Sequence, residues 1–227
     1  MRINIIYVGC IKTEMNITQS ILFLIVGWLF GLLSPVIVDE IRRRRQASQI
    51  RSAVLVELTE IRLRLASDAF MMAMRFATLD RPMLKWFKSI FELYSGSYAD
   101  PNIIKVTNEI LSRPDSDLSA IANHFKAPPH KALSLRSYFT PVMDSQVANF
   151  VIFNAGTQNL LIEIRTQLTF LNEIVEQAQF FYQKSFDSGV SEENDKIIQN
   201  NLNETYQKLG EKAHSVADLI TKCMKSW

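Results

Sequence analysis

Glu211 and His214 stand three residues apart, the spacing that places a carboxylate and an imidazole on one face of a helix, as in bundles that hold two iron ions. Such a centre takes two Glu-x-x-His pairs and two further glutamates. The sequence has no second pair, so these two side chains are expected only to share a helix surface. His124 and His130 fall in the segment HFKAPPHKALSLRSYF, where Lys126, Lys131 and Arg136 complete a basic loop able to attract an anion or a phosphoryl group. No glycine-rich turn or strand precedes it, and a solvated connection is the expected role. Cys10 and Cys223 with three histidines are too few for a cysteine-based zinc site or a disulfide-stapled scaffold.

Phosphate loops, GxSxG elbows and HExxH pairs are absent from the sequence. The acid pairs Asp115 with Asp117 and Glu192 with Glu193 fall at helix starts, where capping and the helix dipole account for them. No residue is therefore expected to be catalytic, cofactor-binding or metal-ligating. The chain is read as a non-enzyme without a cofactor.

The elements that carry these residues are helical. Of 227 residues 48% are hydrophobic, with seven Gly and seven Pro, too few turn residues for the hairpins of a sandwich, barrel or propeller. The run Ile17 to Val38 carries no charge, and roughly 20 such residues span the hydrocarbon core of a bilayer. It continues into Asp39, Glu40 and Arg42 to Arg45 instead of a small-x-small cleavage site, so it reads as a retained signal anchor.

Arg42, Arg43, Arg44, Arg45 and Arg51 follow the span, whereas Arg2 and Lys12 before it are partly offset by Glu14. The positive-inside bias then puts a short tail, residues 1–16, outside and the C-terminal portion in the cytoplasm, as for a bacterial inner-membrane protein. Met15 is an alternative start that leaves this orientation unchanged. Cys10 and Cys223 would lie on opposite sides of the membrane. The basic cluster suits anionic headgroups, at about 1 kcal/mol per residue near the surface. Nucleic acid is not an expected partner, because four consecutive arginines point all round a helix and residues 66–227 hold sixteen basic against eighteen acidic side chains.

Within the span, Gly27 and Gly31 form a GxxxG on which two helices can approach, although glycine is common in such helices anyway. Pro35 is expected to add a mild kink. Nothing from Asp39 to Leu79 is Gly or Pro, so the span should run on as one helix for about 60 Å. Its apolar stripe, Ala47, Ile50, Val54, Leu58, Ile61, Leu65, Ala69, Met72 and Phe76, repeats every eleven residues.

After Pro82 comes an amphipathic segment with Trp86, Phe87, Phe91 and Tyr94 on one side. This side is a candidate for docking a partner or a surface, with burial against the long helices the favoured alternative. Residues 80–144 should form short helices between proline-containing loops, among them Asp100 to Leu111 and Asp115 to Phe125. Residues 145–227 should form two long antiparallel helices. The first is expected from Ser145 to Phe186, weakest at Asn154, Gly156 and Thr157, and the second carries four heptads from Leu202 to Trp227.

The expectation is an all-α protein: one transmembrane helix continuing into an elongated antiparallel cytoplasmic bundle of three long helices with short capping helices. By function it is expected to be an anchored interaction, scaffold or regulatory protein that holds a protein partner or its own copies at the membrane. The alternative is a membrane-acting effector whose span association is controlled by the bundle.

Overall fold

A computed structural model of the chain describes residues 17–96, 100–128, 133, 135–187 and 189–227. The tail before Ile17, with Cys10 and the alternative start Met15, lies outside the described residues. Among the described residues the protein is all-helical, with no strand. The helices are α1 (Ile17–Arg75), α2 (Arg81–Glu92), α3 (Pro101–Leu111), α4 (Asp115–Phe125), α5 (Pro141–Ser145), α6 (Ala155–Lys184) and α7 (Glu192–Lys225), with a 3-10 segment at Val147–Ile152. The chain forms two compact units, Met1–Gln49 and Ile50–Trp227, and α1 contributes residues to both.

In the first unit, every large apolar side chain from Ile21 to Ile41 is exposed, Leu24 by 74%. This helix is long and apolar enough to cross a membrane. Pro35 lies inside it without ending it. In a helix a proline leaves the carbonyl four residues before it without its usual donor, and that residue here is Gly31.

The second unit has a core of its own. Ile50, Val54, Leu58, Ile61, Leu65, Ala69 and Met72 are all buried, so the eleven-residue stripe of α1 is its inner face. It shares one apolar cluster with Leu161, Ile164, Leu168, Leu171 and Val175 of α6 and with the heptad residues Leu202 to Cys223 of α7. Trp227, expected at the last core position of the heptads, lies past the end of α7 and is 39% exposed. Helices α6 and α7 are antiparallel: Thr157 near the start of one meets the hydroxyl of Ser226 after the end of the other at 3.1 Å. A buried leucine in such a cluster contributes about 1.5–3 kcal/mol of transfer free energy.

Two element boundaries depart from expectation. Helix α1 stops at Arg75, short of Leu79, because Ala77 takes a left-handed backbone (φ 55) and the amide of Thr78 turns back to the carbonyl of Ala73 at 2.9 Å. This turns Leu79 into a second small core with Ala73, Leu84, Leu118 and Ala122, and frees Asp80 to cap α2 through the amide of Met83 at 2.8 Å. The helix expected from Ser145 to Phe186 is broken before Ala155. Asn154 is the cap of α6, accepting from the amide of Thr157 at 2.8 Å, so the polar residues read as a weak point inside a helix are its beginning. The two short central helices lie where expected, Pro101–Leu111 and Asp115–Phe125.

Candidate functional site

Alongside its apolar stripe, the second-unit part of α1 carries polar residues that fasten the segment entering α6. Glu57 accepts from the amides of Val142 and Met143, both at 2.8 Å, and so caps α5 in place of a side chain of α5's own. Arg64 donates to the carbonyls of Ser137 and Arg136, and its guanidinium lies 4.5 Å from the centre of the Tyr138 ring. Asp68 accepts the hydroxyl of Tyr138. From α6, Asn172 accepts from the Tyr138 amide at 2.7 Å and donates to its carbonyl at 2.9 Å, while Gln179 donates to the carbonyl of Leu135 at 3.1 Å. Long-helix side chains thus satisfy backbone groups that have no partner in a regular element.

Burial raises the Asp68 carboxyl above its ordinary range, against the lowering pull of the Tyr138 hydrogen bond and the Arg64 charge. Burial, and then the neighbouring Asp68, raise the Tyr138 phenol. Sequence reading followed the apolar stripe and passed over this row, although 57, 60, 64 and 68 recur at helical spacing. Glu60, the fourth member, takes the hydroxyl of Tyr94 at 2.7 Å.

The candidate docking face of α2 is turned largely inward. Phe87, Phe91 and Tyr94 are buried, Phe87 stacking on Phe70 of α1 with ring centres 4.3 Å apart, so the favoured alternative is where the structure places them. Trp86 is half-buried at the edge. The basic residues divide. Glu40 accepts from Arg44 at 2.7 Å and Arg43 at 3.0 Å, and the Arg44 hydrogen bond leads in holding its carboxyl below the ordinary range. Arg42 and Arg45 make no ion pair among the described residues and are exposed. Arg51 belongs to the second unit, where it donates to the carbonyl of Ile152 at 2.8 Å and lies over the Phe153 ring. Of the loop from His124 to Arg136, His130 and Lys131 lie outside the described residues, and His124 is exposed. The thiol of Cys223 is buried in the core, which raises its pKa.

The second unit also carries a cavity of about 620 Å³ between the end of α1, α2 and α7. Met72, Ala73 and Phe76 of α1 supply apolar lining, Trp86 an aromatic wall, and Asp80 and Glu211 two carboxylates. Trp86 is fixed twice. Its indole nitrogen donates to Asp218 at 2.7 Å, and its ring lies 3.9 Å from that of His214, which is itself 3.6 Å from the Asp218 carboxylate. Gly210 lies at the base of the cavity against Met72. The structure therefore brings Glu211 and His214 to one cavity, as their spacing allows. Among the described residues no group of three or more His, Cys, Asp or Glu could hold a metal ion.

No family model, no curated protein and no solved structure matches the chain.

Proposed function

We propose that the chain is a single-pass membrane-anchored helical protein that holds a cytoplasmic protein partner, or a second copy of itself, at a membrane. The observation that carries this reading is the uncharged run Ile17 to Val38. It forms a helix whose large apolar side chains from Ile21 to Val38 are all exposed, while the second unit has a core of its own. An exposed apolar surface of that length finds its complement in a bilayer. With that run as a span, the positive-inside bias of Arg42 to Arg45 favours a cytoplasmic second unit, as in a bacterial inner-membrane protein, with anionic headgroups available to Arg42 and Arg45. On this reading the second unit is an elongated antiparallel bundle that supplies the interaction surface. It performs no catalytic step, uses no cofactor and binds no nucleic acid.

A second reading, a membrane-acting effector, draws on Gly27 and Gly31. A Cβ built at either would meet nothing within 4 Å, so the GxxxG face is open to another helix. An uncharged span is poor material for a selective pore, and this reading ranks second.

The experiment is a crosslinking pull-down from native membranes, comparing the full chain with one lacking residues 1–39. A specific cytoplasmic protein retained by both forms supports the anchored interaction protein. Self-oligomers alone, lost with the span, support the effector.

A further inference from the structure

The cavity at Trp86 has a chemistry that neither anchoring nor scaffolding uses. Its volume, about 620 Å³, falls in the range of small-molecule sites. Its lining combines apolar and aromatic residues, Met72, Phe76 and Trp86 among them, with polar ones, and the carboxylates that line it are Asp80 and Glu211. No Lys or Arg is among the lining residues. The nearest arginine in the chain to Asp80, Arg81, is engaged elsewhere, donating to Asp115 at 2.8 Å and to the carbonyl of Arg113 at 2.7 Å. Glu211 is exposed and forms no ion pair within 4 Å among the described residues, although it also lines a neighbouring pocket with Lys208 and Lys212. Asp80 uses one oxygen for the cap of α2, and an aromatic ring fixed in a cavity whose charged lining is acidic attracts a cation through both the ring quadrupole and direct charge, while apolar lining favours one that carries alkyl groups. Trp86 is held in that way, by Asp218 on its nitrogen and His214 on its face.

The geometry points to this cavity as a binding site for a small organic cation of the alkylammonium class, with Trp86 as its aromatic wall and Glu211 and Asp80 as its counter-charges. The pair Glu211 and His214 then serves a ligand site without a metal: Glu211 supplies charge and His214 holds the indole. The site is built from residues 69 to 214 and does not depend on whether Ile17 to Val38 crosses a membrane.

The test uses the full chain in non-ionic detergent, carrying Trp28→Phe and Trp227→Phe so that Trp86 is the sole tryptophan and is excited selectively over the tyrosines. It is titrated with choline and with the uncharged isostere 3,3-dimethylbutan-1-ol. Choline is expected to change the Trp86 emission saturably, with the alcohol at least about tenfold weaker, the share that charge adds at such a site. Glu211→Gln keeps an exposed helical residue of the same shape, and Asp80→Asn keeps a capping side chain, so both variants should remain folded. Each is expected to weaken choline binding several-fold. No saturable response to choline, an equal response to the alcohol, or full-strength binding in Glu211→Gln would overturn the assignment.

Discussion

Gly210 of α7 lies so close to Met72 of α1 that a Cβ at position 210 would stand 2.7 Å from the Cβ of Met72. The obstructing atom is next to the backbone and cannot swing aside. A glycine inside a helix costs about 1 kcal/mol relative to alanine, and overpacking of a core costs about 1–3 kcal/mol, so the second effect should win here. Gly210→Ala is expected to lower the stability of the second unit by about 1–2 kcal/mol. Thermal unfolding followed by circular dichroism checks this, and a rise in melting temperature would contradict the close contact.

Tyr138 and Asp68 make a second test. Tyr138→Phe leaves a buried carboxylate without its donor and is expected to cost about 1–3 kcal/mol. The sign with pH follows from the raised Asp68 carboxyl. The native state holds this proton more tightly than the unfolded chain, so Asp68 lowers stability as pH rises from its ordinary 3.8 through the raised value, and the penalty is fully present above that. Asp68→Asn should remove that descending limb. Urea unfolding of both proteins across the acid range is the measurement, and parallel curves would refute the burial account.

Arg62 is only 3% exposed, its Nε has no hydrogen-bond partner among the described residues, and burial lowers its pKa. Replacing a buried, poorly compensated charge by an apolar side chain of similar length commonly stabilises, by about 1–4 kcal/mol. Arg62→Met should therefore raise the denaturation midpoint. A clear fall would mean that the guanidinium has a partner worth more than its desolvation.

Gly27 and Gly31 bear on the proposed span. Exchanging both for Leu fills the open face and is expected to reduce crosslinking between full-length chains in membranes several-fold if copies associate there. Unchanged crosslinking together with retained partner capture would leave the span as an anchor only.

The core was legible in the sequence because it obeys helical periods: the eleven-residue stripe from Ile50 to Met72 and the heptads from Leu202 to Cys223 are buried as their spacing requires. The ends of elements were less so. Ala77 adopts a left-handed conformation usually left to Gly or Asn, and nothing in its type announces that α1 stops there. Asn154 and Thr157 sit in register with the stripe of α6, so a cap and a polar core pair look alike until the hydrogen bond to Thr157 is seen. The cavity at Trp86 joins α1, α2 and α7 across more than a hundred residues. Spacing within one helix could offer Glu211 and His214 as neighbours but could not supply the indole that lies against His214.

The central claim, a span at Ile17 to Val38 with the helical unit in the cytoplasm, is tested most directly by expressing the full chain with a C-terminal epitope in a bacterial host. Membranes are extracted with alkaline carbonate, and intact and lysed spheroplasts are treated with protease. The epitope should remain in the carbonate-resistant membrane pellet, survive protease outside intact spheroplasts and be lost once they are lysed. Release by carbonate, or digestion of the epitope in intact spheroplasts, would contradict the account.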